Sequence, residues 1–369
     1  MYTSGRKERI EKAARGEAPR EFLYGYTYFK EYGYDVSYLE TDYFRPPRLR
    51  FEHWRLKGNN EQFTKEVGIG NRSHFFVNQI NTINNYDYLI ATTDSIALGL
   101  AHHKKKGKLK GEIIYLNMGL AAALEKLKGK NNGRYKKYKK QCGELMGQCK
   151  RIVSLGRGEH QFFSQEFPHF MRKYIFIPFG IDTDFWKPEV KSIKDKNFIL
   201  FIGNDENRDY DLLLKIVDDF KSQNYILVTS KITKNQCPPN VELINGNWKR
   251  ETLSDLKIKE LIQSSAMVIL PLKDSLQPSG QSVCLQAMAC ETPVIITRTK
   301  GLWSPELMIN GRNCCLVNPG RVSSFKNILS SLLNDTEKAR DIAENGAKTA
   351  RKHFDYLEFS EKLLQVSIS

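Results

Sequence analysis

The sequence predicts an α/β protein built from two doubly wound domains, and three observations carry that prediction. Short apolar runs recur along the chain and alternate with stretches of helical periodicity, the pattern of a parallel sheet covered by helices. One stretch, Pro278 to Pro319, displays the repeating unit in full as strand, glycine turn, helix and strand. The 369 residues also exceed what a single core ordinarily organises, so two domains are expected.

Taken in order, the chain opens on Met1–Thr3, followed by Ser4, Gly5 and a polar stretch. A charged, helix-permissive stretch runs to Arg15. Residues 22–56 are crowded with aromatics, with Phe22–Glu31 fitting a helix ended by Gly33 and Asp35–Glu40 fitting a strand. Arg45, Arg48, Arg50 and Arg55 follow, so this region reads either as a core helix with a basic loop or as an interfacial aromatic belt. Tyr86–Asp94, Glu112–Gly119, Arg151–Leu155 and the run from Tyr174 read as further strands, with helices at Ser95–His103 and up to Phe167 between them. Ligands in such sheets sit beyond the carboxyl ends of the strands. That placement nominates Thr92, Thr93, Asp94, Asn117, Ser154 and Gly156.

A turn-rich connector follows at Pro178–Pro188. Strands at Phe198–Ile202, Tyr225–Thr229 and Val241–Ile244 and helices at Tyr210–Lys221 and Leu253–Ser264 lead to the apolar run Ser265–Leu272. After Pro278 the period changes, with Val283, Gln286, Ala287 and Cys290 on one helical face. Ser279 or Ser282 can cap that helix, and Gly280 lets the backbone approach a ligand. The helix N-terminus is a seat for phosphate. Val294–Thr297 is the next buried strand, and residues 322–333, 336–353 and 356–366 are helical.

Pro278–Gly320 resembles the donor-site segment of family-4, GT-B-fold glycosyltransferases. The matching pieces are Gln286-Ala287-Met288-Ala289, Pro293-Val294-Ile295 and Asn310-Gly311 through Pro319-Gly320. The resemblance implies two Rossmann-like domains facing a cleft, residues 1–180 and 181–353, divided at Pro178–Pro188, which is similar to the family's interdomain stretch. It implies that the first domain opens on a strand and a glycine loop; only Met1–Thr3 can supply that strand, so it is stunted or missing, and Gly5 is the candidate loop glycine. The last segment, 354–369, is expected to cross back to the first domain. The resemblance also implies retaining transfer of a hexose or hexuronic acid from a nucleotide diphosphate sugar, UDP-linked, as co-substrate, with no metal and no other cofactor. The family's Gly-Arg-x4-Lys-Gly begins on Gly203 and Asn204 and its lysine register falls on Asp209, so Arg208, one residue ahead, is the candidate to keep one phosphate-gripping cation and Asn204 replaces the other. Its Glu-x7-Glu falls on Pro278 and Gln286, and neither is a carboxylate. Gln286 can still accept from a ribose hydroxyl, and Ser279, Gly280, Gln281 and Ser282 are the remaining donor-binding candidates. Asn117 stands where the family often carries a histidine. Arg208 and Asn117 are therefore the catalytic candidates, and Gly5 and Asp94 a candidate acceptor or phosphate loop.

Charge is polarised along the chain. Residues 1–180 hold 32 Lys and Arg against 18 Asp and Glu, a net of +14 out of the whole chain's +15. Two lysine-rich runs, 104–110 and 126–140, contribute most visibly, through Lys104, Lys105, Lys106, Lys136, Lys137, Lys139 and Lys140. They read either as solvated faces or, with Tyr135 and Tyr138 interleaved, as a surface for an anionic membrane or lipid acceptor. No C2H2, RNP-type or leucine-zipper signature accompanies them, so nucleic acid is not expected as a partner. No apolar run reaches the roughly 18 residues of a membrane span, and the seven cysteines show no C-x-x-C spacing. The expectation is a cytoplasmic enzyme, peripheral on the inner membrane face, acting on a lipid such as diacylglycerol. The alternatives are a soluble cell-envelope or polysaccharide glycosyltransferase and a non-catalytic nucleotide-sugar-binding protein.

Overall fold

The computed structural model describes residues 1–44, 51–189, 198–246 and 253–369. Arg45, Arg48 and Arg50 of the expected basic loop lie outside the described residues. The chain divides into two units: Met1–Ile10, Leu23–Pro178 and Ser360–Ser369 in the first, Glu11–Phe22 and Phe179–Phe359 in the second. A short piece from the beginning of the chain thus belongs to the second unit.

The first unit carries, in chain order, α1 (Arg6–Ala14), which continues into the second unit, then α2 (Tyr26–Glu31), α3 (Phe51–Val67), α4 (Ser73–Phe76), α5 (Ile80–Ile83), β1 (Tyr88–Ala91), α6 (Asp94–Lys105), β2 (Glu112–Asn117), α7 (Leu120–Lys130), α8 (Asn132–Met146), β3 (Arg151–Ser154), α9 (Arg157–Glu166) and β4 (Tyr174–Phe176). Its parallel sheet has the order β1-β2-β3-β4, and strand interiors such as Ile113–Leu116 are wholly buried. The opening strand is stunted to a stub. Met1 O accepts from Thr92 N at 3.2 Å on the β1 side, while Tyr2 N donates to Leu39 O at 2.9 Å and Tyr2 bridges Glu40 on the other. The stub therefore lies between β1 and the segment that follows it in sequence. That reversal of strand order is a topological switch point, where α/β sheets place ligands. Gly5 follows the stub and Asp94 follows β1.

Three local expectations are corrected. Phe22–Glu31 is not one helix, because Tyr24 and Gly25 both adopt left-handed backbone (φ 46° and 84°) between a 3-10 turn at Glu21–Leu23 and α2. Asp35–Glu40 forms no strand; the stub offers only the single bridge to Glu40. Tyr135 and Tyr138 are not surface aromatics. They fall with Cys142, Leu145 and Met146 on the buried stripe of α8, and the Tyr135 hydroxyl donates to Glu166.

The second unit carries β5 (Phe198–Ile202), α10 (Tyr210–Asp219), β6 (Asn224–Val228), β7 (Val241–Ile244), α11 (Asp255–Ser264), β8 (Met267–Leu270), α12 (Gln281–Ala289), β9 (Val294–Thr297), β10 (Cys315–Val317), α13 (Val322–Asn334), α14 (Thr336–His353) and α15 (Tyr356–Ile368), whose last residues belong to the first unit. Its six described strands are all parallel in the order β10-β9-β8-β5-β6-β7. Strand order reverses between β5 and β8, and the crevice beyond the carboxyl ends at such a reversal is where α/β sheets place ligands. A core of apolar side chains from Ile199, Phe201, Leu213, Ile216, Ile269, Ile295 and Phe325 joins the sheet to α10 and α13.

Candidate functional site

At the β5–β8 switch point the chain builds a cationic clamp. Gly203 follows β5, and a Cβ there would fall 2.2 Å from Arg208 Nε, so only glycine allows the Arg208 side chain across it. The loop is fixed by Asp209 N to Pro271 O at 3.0 Å and Lys273 N to Asn207 O at 2.8 Å, which tie it to the segment after β8. Arg208 is 3% exposed, yet its Nε and Nη1 have no hydrogen-bond partner. Asp205 Oδ2 lies 3.2 Å from Nη1, an ion pair without hydrogen-bonding geometry. Desolvation lowers the Arg208 pKa, with Asp205 drawing it back, and an arginine still remains charged. A buried cation with unmet N–H groups is costly unless an anion meets it.

The opposite wall is the start of α12. Gly280 is its N-cap with φ 78°, and a Cβ there would stand 3.2 Å from Arg208 Nη1. The first bond of the helix is Cys284 N to Gly280 O at 2.9 Å, so the Ser282 and Val283 N–H groups fall outside its ladder. The positive end of the helix dipole and the guanidinium thus converge, a combination that favours phosphate. Neither Ser279 nor Ser282 caps the helix, since the left-handed glycine takes the cap position. Ser279 Oγ instead accepts from Asn207 Nδ2 at 2.9 Å, and the same amide donates to Gln277 Oε1 at 2.9 Å. Asn207 is the stitch between the two walls, and sequence reading missed it.

Asn204 sits in the same loop with its amide occupied by the fold. Its Nδ2 donates to Gly246 O, and its Oδ1 accepts from Ser230 N at 2.6 Å and Ser230 Oγ at 2.9 Å. It pins the carboxyl ends of β5, β6 and β7 together. Gln281 and Gln286 are buried on α12. Gln286 Nε2 donates to Glu21 Oε1 at 3.1 Å, and Glu21 also accepts from Trp186 Nε1 at 2.8 Å and Asp182 N at 3.2 Å. Burial pushes the Glu21 carboxyl up to about 7, with Asp182 adding to the shift and the hydrogen bonds opposing it. Beside it, Arg20 pairs bidentately with Asp182 at 2.7 and 2.9 Å. Glu21 was missed because it lies 265 residues from its partner, and no local periodicity marks such a contact.

In the first unit the nominated residues gather at the carboxyl ends of β1, β2 and β3. Asp94 Oδ1 accepts from Tyr115 Oη at 2.5 Å and Met118 N at 3.1 Å, while burial raises its pKa. Asn117 stands level with Ser154, both fully buried, and Asn117 Nδ2 and Ser154 Oγ have no partner. Glu159, on α9, completes the cluster. Burial and the nearby Asp94 charge raise its pKa well above the ordinary range. Neither Glu159 oxygen has a hydrogen bond of sound geometry, although the Asn117 amide is near enough to favour the charged form. Glu159 shares the helix face of Phe162 and Phe163, a signal that sequence reading could have used. Gly5, left-handed at φ 75°, turns the stub into α1 with open space around its Cβ position.

The lysine runs divide. Lys104, Lys105 and Lys139 pair with Glu112, Glu144 and Glu166 at 2.8, 2.5 and 2.7 Å. Lys106, Lys136, Lys137 and Lys140 are exposed. Among the described residues no helix is long and apolar enough to cross a membrane, and no group of three or more His, Cys, Asp or Glu could hold a metal ion.

Residues 196–335 match the family model described as glycosyl transferases group 1. An uncharacterized glycosyltransferase of Methanocaldococcus jannaschii is 26% identical over 169 residues, covering 43% of this chain and 44% of that protein. The aligned part thus spans under half of that relative's length. Among solved structures, HepE of Anabaena in complex with UDP-glucose aligns with a TM-score of 0.64 at 17% identity, over 79% of this chain and 81% of that one. Sucrose-phosphate synthase from Thermosynechococcus elongatus aligns with a TM-score of 0.64 at 13% identity, covering 90% and 80%. A Rickettsia africae glycosyltransferase gives 0.64 at 13%, covering 94% and 93%.

Proposed function

With a glycosyl transferases group 1 domain at 196–335 on a GT-B-type fold as the premise, we propose that the protein transfers a hexose or hexuronic acid, with retention, from a nucleotide diphosphate sugar. The observation that carries this is Arg208, a buried guanidinium with two unmet N–H groups facing the α12 N-terminus. The clamp holds the donor diphosphate and stabilises charge on it as the sugar departs. UDP is the favoured nucleotide, since the HepE complexes contain UDP-glucose or UDP. Gln286, oriented by Glu21, offers an acceptor to the ribose. The transfer calls on no other cofactor.

The acceptor is taken to be bound by the first unit, and a membrane lipid such as diacylglycerol is its proposed class, drawn by Lys106, Lys136, Lys137 and Lys140. A soluble cell-envelope or polysaccharide acceptor is the second reading. It is favoured by the pairing of Lys104, Lys105 and Lys139 with carboxylates and by the burial of Tyr135 and Tyr138, which together leave less of the runs for a membrane.

A thermal-shift and calorimetric screen of UDP-, GDP- and ADP-sugars tests the donor assignment. UDP-sugars should stabilise the protein, and Arg208→Ala should weaken their binding by about 1.5–3 kcal/mol, the value of a charge-assisted hydrogen bond. Unchanged affinity in that variant would refute the clamp.

A further inference from the structure

The first unit contains a cavity of about 200 Å³ that the proposed transfer does not use. Tyr24, Tyr26, Phe29, Tyr34, Tyr86 and Tyr88 line it, between the outer edge of β1 and the segment 34–39. The stunted opening strand pairs with β1 only toward its carboxyl end, and the cavity lies beside the β1 residues ahead of that pairing.

Its electrostatics run against those of the surrounding sequence. The first 180 residues carry a net +14, yet among the described residues lining this cavity the charged side chains are Asp35 and Asp87, with no Lys or Arg. Both carboxylates are exposed, and no described cation pairs with either. The Met1 amino group also lines the cavity, but burial pushes it down to about 5, so it is uncharged at neutral pH. An ammonium already rests on one wall. Lys150 Nζ lies 4.9 Å from the Tyr88 ring centroid and donates to Ser367 O at 3.3 Å, and Tyr88 and Ser367 both line the cavity.

Aromatic faces attract a cation through their quadrupole, and clustered rings with carboxylates at the rim are the standard receptor for alkylated ammonium groups. We infer that this cavity binds a small organic cation of the alkylammonium class, the rings enclosing the alkyl groups and Asp35 and Asp87 balancing the charge. An anion would meet two carboxylates, and a neutral apolar ligand would gain nothing from them. The site is separate from the Arg208 clamp, so its occupancy does not depend on the donor assignment.

The probe is choline, titrated by calorimetry or ligand-observed NMR into the full chain, with 3,3-dimethylbutan-1-ol as its uncharged isostere. Choline should bind at least tenfold more tightly than the isostere. Asp87→Asn, a surface change that leaves the fold intact, should weaken choline several-fold. Lys150→Met, which removes a competing ammonium from Tyr88, should tighten it. Tyr86→Leu should weaken choline about tenfold, with circular dichroism checking its fold. Vesicles separate two sources of the same chemistry: binding to phosphatidylcholine that free choline displaces marks a lipid headgroup, and choline binding without vesicle binding marks a free metabolite. Either result supports the site. Equal affinity for the isostere, or unchanged affinity in both Asp87→Asn and Lys150→Met, would overturn it.

Discussion

Replacing Glu21 with glutamine isolates the energetic role of the carboxyl group beneath α12. The carboxyl is fully buried, and its pKa rises from 4.5 to about 7 in the folded protein, chiefly through desolvation. A raised carboxyl pKa means that the folded state holds its proton where the unfolded chain has released it. Below about 4.5 both states are protonated and the group contributes no pH dependence. As pH rises from 4.5 to 7 the unfolded state binds fewer protons, so stability falls, and above 7 the full penalty is present. The shift corresponds to about 3 kcal/mol. The substituted amide cannot titrate. Its oxygen can still accept from Trp186 and Gln286, but its NH2 would face the Asp182 N–H, a lost bond of about 1–3 kcal/mol that is independent of pH. Wild type should therefore be the more stable protein near pH 5, and its advantage should shrink or invert by about 3 kcal/mol towards pH 8. Urea unfolding at half-unit pH steps, followed by the fluorescence of buried Trp186, measures the difference curve. Parallel stability curves for the two proteins would refute the reasoning, because they would place an ordinary carboxyl at position 21.

Two other substitutions probe the clamp and the basic surface. Gly203→Ala puts a Cβ 2.2 Å from Arg208 Nε, so the guanidinium must leave its pose. UDP-sugar affinity should fall about tenfold or more while the fold is kept, and wild-type calorimetry in this variant would show that the pose is irrelevant. Exchanging Lys106, Lys136, Lys137 and Lys140 for Gln spares the lysines paired with glutamate. It should abolish salt-sensitive binding to anionic vesicles, at about 1 kcal/mol per charge; binding that survives intact rules out the lipid-surface reading.

The parts of the fold legible in the sequence are those that local physics dictates. Met267–Leu270 and Val294–Thr297 are buried along their whole length, and such uninterrupted apolar runs declare central parallel strands. Gly280 was readable from the turn between an apolar run and a helix, whereas Gly203 and Arg208 were readable only through the resemblance to the family's donor-site motif. What stayed hidden depends on contacts distant in sequence or on competing signals. Nothing local announces that Glu11–Phe22 joins the second unit, and so Glu21 went unseen. In α8 the charge count of residues 134–140 masked a buried stripe at Tyr135, Tyr138 and Cys142 whose spacing was visible. The helix Phe51–Val67 was missed because Gly58, Asn59 and Asn60 sit in its middle, residues that favour turns over helix interiors.

The two glycines flanking Arg208 also decide when entropy is lost. A free arginine side chain carries about 2 kcal/mol of rotamer freedom, which a flexible surface cation surrenders each time it grips a phosphate. Here Gly203 and Gly280 make room for a side chain that is 3% exposed, so part of that freedom was surrendered when the chain folded. On the proposed function, a donor diphosphate would meet a guanidinium already ordered, and less of the contact energy would go into fixing the side chain.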